Sequence, residues 1–255
     1  MNQDLVFEKR GRVAWLTINR EARGNALNLE VIDWLGGCLD RIERDEDIRV
    51  VCLTGAGDKA FCTGADLLTA AGGSIEEGAR RYAALLERLH SFPRPLVARV
   101  NGHCLAGGLG LMLSCDLAYA VEGARFATPE VNVGLFPLMI GALIFRNAGR
   151  KKALEMVYTA RRYSAAEAEA MGLITRWYPA GEFDRAVEEV LSVMAEKGPL
   201  AMSLGRRALA AVEGLELGPA LDHLCDGLVK LMASEDAAEG LAAFLEKRQP
   251  RWKNR

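Results

Sequence analysis

Apolar positions along the chain alternate over short runs and then repeat at helical spacing, which predicts strands separated by amphipathic helices. Val13 to Ile18 alternates and is β-branched, so it reads as a strand, and Asn19-Arg20-Glu21-Ala22-Arg23-Gly24 reads as a loop. Asn28 is placed to cap a helix running to about Arg44, with Leu29, Ile32, Leu35, Leu39 and Ile42 on its inner face. Val50 to Thr54 is a second, buried strand, closed by Gly55-Ala56-Gly57-Asp58. The following Lys59-Ala60-Phe61-Cys62-Thr63-Gly64-Ala65-Asp66-Leu67 has no clear period and carries a glycine where the backbone must turn. That predicts a place where main chain meets a ligand.

Gly72-Gly73-Ser74 breaks the chain before a helix from Ile75 to Phe92, which turns Tyr82, Leu85, Leu86 and Leu89 toward the core. After Pro93-Arg94-Pro95, Leu96 to Val100 reads as a short buried strand. Asn101-Gly102 then turns the chain into the apolar, glycine-rich Ala106 to Leu113, best placed at a helix start. Leu117 to Val121 is another strand, and Arg125 to Glu130 leads into Val131 to Phe136. Met139 to Ala148, Lys151 to Thr159 and Ala165 to Met171 are helical, and Ile174 to Tyr178 is a last strand. Beyond Pro179 come only helices: Glu182 to Lys197, Pro199 to Val212, Pro219 to Met232 and Asp236 to Lys247. Strand-strand-helix units in front and helices behind predict an α/β core over residues 1–180 and a helical domain over 181–255.

Half of the 255 residues are apolar, enough for a sizeable core. A formal charge of −2, from 32 basic and 34 acidic residues, gives no broad field for nucleic acid or an anionic membrane. No apolar run approaches the ~20 residues that span a bilayer, and Met1 to Arg10 lacks a signal-peptide core, so a cytoplasmic protein is expected. The six cysteines form no CxxC pair and read as buried thiols in a reducing compartment. His90, His103 and His223 are too scattered for a metal cluster.

Candidate chemistry lies at the glycine-rich stretch. The first N–H groups of a helix lack internal partners and face outward at the positive end of its dipole, which suits an anion or a developing oxyanion. Gly55-Ala56-Gly57-Asp58-Lys59-Ala60 imitates a dinucleotide-binding turn, but no amphipathic helix follows it. A serine hydrolase finds no Gly-x-Ser-x-Gly elbow.

Several segments together resemble the enoyl-CoA hydratase/isomerase (crotonase) family. They are Asn25-Ala26-Leu27-Asn28, Lys59 to Leu67, Asn101-Gly102-His103-Cys104-Leu105-Ala106-Gly107-Gly108, Ser114-Cys115-Asp116, Pro129-Glu130 and Phe244-Leu245-Glu246-Lys247-Arg248, in the family's order over nearly the whole chain. The resemblance implies a crotonase-like spiral of ββα units and C-terminal helices that build a homotrimer, or a hexamer of two trimers. It implies no bound cofactor, because coenzyme A enters as part of an acyl-CoA substrate. By motif position, the backbone N–H groups of Ala65 and Gly107 receive the thioester oxygen. Arg23 and Ala26 lie near the nucleotide end. Ala65, Asp66, Leu67, Leu68 and Gly107 follow the coenzyme, with Phe244 and Lys247 over its adenine and phosphate.

The chain departs from that pattern twice. Where the family's hydratases carry the first of two catalytic glutamates, it has Gly110, which leaves Glu130 as the one catalytic carboxylate. A small residue at Gly110 either makes room for a branched acyl group or marks lost activity. After Pro137 a usual glycine-rich turn is replaced by Leu138-Met139-Ile140-Gly141-Ala142, so Leu138 and Met139 are expected to narrow the acyl pocket beside Gly110. Asp66 and Asp116, the other acids in the motifs, are expected to be structural. One carboxylate suffices to shuttle a proton between Cα and Cγ, or to hydrate by acting as base and then acid on the same water. Decarboxylation of a malonyl- or glutaconyl-type thioester, and non-catalytic binding of acyl-CoA, remain the alternatives.

Overall fold

The computed structural model describes residues 5–65 and 74–255. Strands β1 (Leu5–Arg10) and β2 (Val13–Ile18) form a hairpin that turns at Gly11, whose φ of 57° lies in the left-handed region. Helix α1 (Leu29–Arg44) follows, and its cap is the expected one: the Asn28 side chain accepts from the Val31 N–H at 3.0 Å. Its apolar stripe of Leu35, Leu39 and Ile42 is fully buried.

From there the chain winds in units of long strand, short strand and helix. The first unit is β3 (Val50–Gly55), β4 (Ala60–Cys62) and α2 (Ile75–Ser91). The second is β5 (Leu96–Val100), β6 (His103–Leu105) and α3 (Gly107–Leu113). The third is β7 (Leu117–Val121) and β8 (Arg125–Ala127), then a 3-10 turn at Pro129–Val133 and α4 (Leu138–Asn147). The long strands join a six-stranded sheet in the order β1-β2-β3-β5-β7-β10, parallel except for the first hairpin, with β10 at Arg176–Tyr178. The short strands form a second sheet, β4-β6-β8-β9, with β9 at Tyr163–Ser164. Every residue of β3 is buried, as a central parallel strand covered on both faces requires.

The main core lies between the two sheets and helices α1 to α4, together with α5 (Arg150–Thr159) and α6 (Ala165–Ala170). A second core covers the opposite face of the large sheet. There Phe183, Val187, Leu191 and Ala195 of α7 (Ala180–Ala195) pack on Val13, Trp15, Val50, Cys52, Val97 and Tyr119. The first helix beyond Pro179 is thus a layer of the α/β core. Helices α8 (Pro199–Val212), α9 (Leu217–Met232) and α10 (Glu235–Leu245) stand outside that layer and bury little. Leu209, Leu221, Leu228, Val229, Met232 and Leu241 are all more than half exposed on them. Arg206 ties α8 to the core: Nε donates to both Asp116 oxygens at 2.8 Å and Nη2 to the Leu89 carbonyl at 2.9 Å. No helix among the described residues is long and apolar enough to cross a membrane.

Candidate active site

The parallel strands β4, β6 and β8 are neighbours in the small sheet, so their carboxyl ends open on the same side about 4.8 Å apart. Ala65 comes three residues after β4, Gly107 two after β6 and Glu130 three after β8. The three residues singled out in the sequence therefore share one rim, where open α/β sheets take their ligands.

The first two segments touch. Gly64, at φ 100°, is so close to the second that a β-carbon on it would lie 2.7 Å from Ala106 Cβ and 3.1 Å from Gly107 N. One on Gly108 would lie 2.1 Å from the Cys62 carbonyl oxygen, so no side chain fits where α3 starts against β4. Peptide orientation follows from what each carbonyl accepts. Leu27 N–H donates to Gly64 O at 2.7 Å, and the trans Gly64–Ala65 peptide then sends the Ala65 N–H the opposite way. Leu109 N–H donates to Ala106 O at 2.9 Å, which likewise turns the Gly107 N–H out of the helix start. Ala106 holds φ 47° and ψ −126°, a conformation costing an alanine roughly 1–3 kcal/mol, and it does so at the residue that sets this second amide.

The loop from Arg23 to Ala26 is fastened beside them. Thr63 N–H and its hydroxyl both donate to Gly24 O at 3.1 Å. Asn25, fully buried at φ 56°, accepts from Arg20 N–H at 2.9 Å and donates to the carbonyls of Ala56 and Ala60 at 3.0 and 2.6 Å. Arg23 is exposed and Ala26 buried. Asp66, Leu67 and Leu68 lie outside the described residues. Phe244 is 80% exposed at the end of α10, and Lys247 follows it in the left-handed region. Among the described residues, no hydrogen bond joins either of them to this rim.

Glu130 carries the site's electrostatics. Its Oε2 is buried with no hydrogen-bond partner, and burial pushes the carboxyl above its ordinary value. The nearby thiols stay protonated: burial raises Cys62 to about 12 and Cys104 well above its usual range. Asp116 is structural in its contacts, accepting Leu96 N–H at 2.7 Å as well as Arg206. The glycines after β3 lead into strand β4 and not into a helix, which removes the dinucleotide-binding reading.

Gly110 differs from expectation. It is buried in α3, and a β-carbon there would lie 2.3 Å from the Tyr82 hydroxyl oxygen and 2.6 Å from Ile140 Cγ2. The small residue leaves no room for a branched acyl group, because that volume is already filled. Leu138 and Met139 are 77% and 41% exposed, and it is Ile140, 3% exposed, that reaches Gly110. Sequence reasoning placed Tyr82 among core residues. The signal available was a polar tip on an otherwise aliphatic helix face, which a buried tyrosine must satisfy somewhere.

Two sheets wound from ββα units, with outward-turned peptides and a buried carboxylate on one rim, define the crotonase-like fold class. A family model described as enoyl-CoA hydratase/isomerase matches residues 8–255, and the chain belongs to that family of acyl-CoA-processing enzymes. It is 32% identical over 251 residues to the short-chain-enoyl-CoA hydratase of Clostridium acetobutylicum, covering 96% of each. To the 2,3-dehydroadipyl-CoA hydratase of Escherichia coli it is 34% identical over 261 residues, covering 99% of each. The crystal structure of an enoyl-CoA hydratase from Bacillus anthracis superposes with a TM-score of 0.95 at 32% identity, covering 99% of this chain and 100% of that one.

Proposed function

We propose that the protein converts enoyl-CoA thioesters through an enolate, by moving one proton with one carboxylate. The thioester oxygen sits between the N–H groups of Ala65 and Gly107, each worth about 3–4 kcal/mol as charge builds on that oxygen. Glu130 takes a proton from Cα, the C–H electrons pass into the dienolate, and the same carboxylic acid returns the proton to Cγ as the double bond moves. Nothing else is consumed. The observation that carries this reading is the buried, unpartnered Oε2 of Glu130 on the rim with the two turned peptides. A carboxyl whose pKa is raised by burial holds a proton more readily than an ordinary one, which suits it to take a proton and give the same one back.

Hydration by Glu130 alone, acting on one water, is the second reading, and the hydratase names of the relatives favour it. Arg23, Ala26, Ala65, Asp66, Leu67, Leu68 and Gly107 would follow the coenzyme, with Phe244 and Lys247 at its nucleotide end. The exposed apolar residues of α8, α9 and α10 support a homotrimer, or a hexamer of two trimers, joined through these helices. The test is to follow the ultraviolet conjugation band with 3-enoyl-CoA and crotonyl-CoA, for the wild type and Glu130→Gln. Glu130→Gln should lose turnover while keeping CoA-ester affinity within about threefold, under 1 kcal/mol of binding energy. Unchanged turnover would remove Glu130 from the mechanism. Binding without turnover by the wild type, with methylglutaconyl-CoA tried as well for decarboxylation, would favour a carrier of acyl-CoA and no enzyme.

A further inference from the structure

The second carboxylate's position is not merely vacant in sequence; it is built over. Tyr82 reaches it from α2, 25 residues before Gly107, and its hydroxyl donates to the Gly107 carbonyl. Ile140 reaches it from α4. Tyr82 is 8% exposed, so its hydroxyl is spent inside the protein. Burial raises its pKa well above the usual value, with Glu130's charge among the contributing causes. It therefore stays a neutral donor and takes no part as a base.

We infer that Tyr82, with Ile140, is a positioning and reaction-selecting element: together they close the volume a side chain at 110 would need, and the Tyr82 hydroxyl holds the first turn of α3 through Gly107. This rests on the reading of Glu130 and the two amides given above. Its consequence is a site that admits thioesters convertible by one carboxylate and denies a second acid the space to help activate water. The class of substrate is a 3-enoyl thioester whose double bond moves into conjugation.

Two measurements test it. Tyr82→Phe keeps the ring and removes the hydroxyl. It should lower kcat for isomerisation about tenfold with KM little changed, because the first turn of α3, which carries the Gly107 N–H, loses a tie at the next peptide and is held less firmly where charge develops. The pH profile, set by Glu130, should not move. Gly110→Glu alone should lower Tm and gain no hydration, whereas Gly110→Glu with Tyr82→Phe and Ile140→Gly should raise the ratio of crotonyl-CoA hydration to isomerisation at least about tenfold. An unchanged kcat in Tyr82→Phe, or hydration gained by a normally folded Gly110→Glu, overturns the proposal. A thermal-stability cycle of Gly110→Ala with and without Tyr82→Phe needs no turnover, and additive Tm changes in it would also overturn the proposal. Coupled Tm changes alongside full activity in Glu130→Gln would instead keep the packing and sink the functional reading, and with it the selecting role.

Discussion

Replacing Glu130 with glutamine keeps the size of the side chain and removes its charge, and the structure says stability should rise as activity falls. Oε2 is buried with no partner, and burial holds the folded-state pKa above the ordinary value of 4.5. Below that value the carboxyl is protonated in folded and unfolded chains alike, and folding carries no penalty from it. As pH rises through the folded-state pKa, the native protein must keep a desolvated charge, so stability is lost and the deficit is complete above that pKa. A buried polar group without a partner costs about 1–3 kcal/mol, and more when charged. Glu130 is only half-buried, and a glutamine amide in the same place retains some of the cost, so roughly 1 kcal/mol should be recovered. In a chain of this size that is about 2–4 °C in Tm. Thermal scans of both proteins from neutral pH down to about 4.5 check it: the variant should melt higher at neutral pH, with the gap closing as acid is added. Turnover should fall at least ~100-fold over the same series. A variant that melts no higher at neutral pH, or a gap indifferent to pH, would refute the reasoning.

Asn25→Ala takes the side-chain acceptor from the Arg20 N–H and one of two donors from the Ala56 and Ala60 carbonyls, which Asn101 also bonds, and puts an alanine at φ 56°, so a loss of about 2–3 kcal/mol is expected in urea unfolding. Arg206→Ala removes a guanidinium, 9% exposed, that joins Asp116 to the end of α2; it should cost roughly 3 kcal/mol and free α8 to exchange amide hydrogens sooner. Lys247→Glu should weaken an acyl-CoA about tenfold while barely affecting its dephospho-CoA counterpart in titration calorimetry, and equal losses would place Lys247 away from that phosphate.

Most long elements were legible because they carry enough residues to show a period; β1 was not, because past Leu5 this edge strand is largely exposed and polar. Asn28 with Leu35, Leu39 and Ile42 announced α1, and the unbroken apolar run of β3 announced a central strand. Strands β4, β6, β8 and β9 were not legible, since two or three residues cannot display alternation and their pairing is imposed by the layer beneath. Of the candidate site, Ala65, Gly107 and Glu130 were singled out by motif, and the small sheet brings the segments that carry them to one rim. Tyr82 and Ile140 escaped because each looks like an ordinary core residue on its own helix. Only the meeting of α2, α3 and α4 shows what they fill.

The winding of the chain has a consequence for how such a protein can change. Each feature of the rim is delivered by its own turn of the spiral: one peptide from the first, another from the second, the acid from the third. The first two turns are locked together where Gly64 meets Ala106 and Gly108 meets Cys62, so it is a replacement in the third that leaves the other two where they stand. A new acid or base can therefore be tried on that third rung while the pair of turned peptides persists.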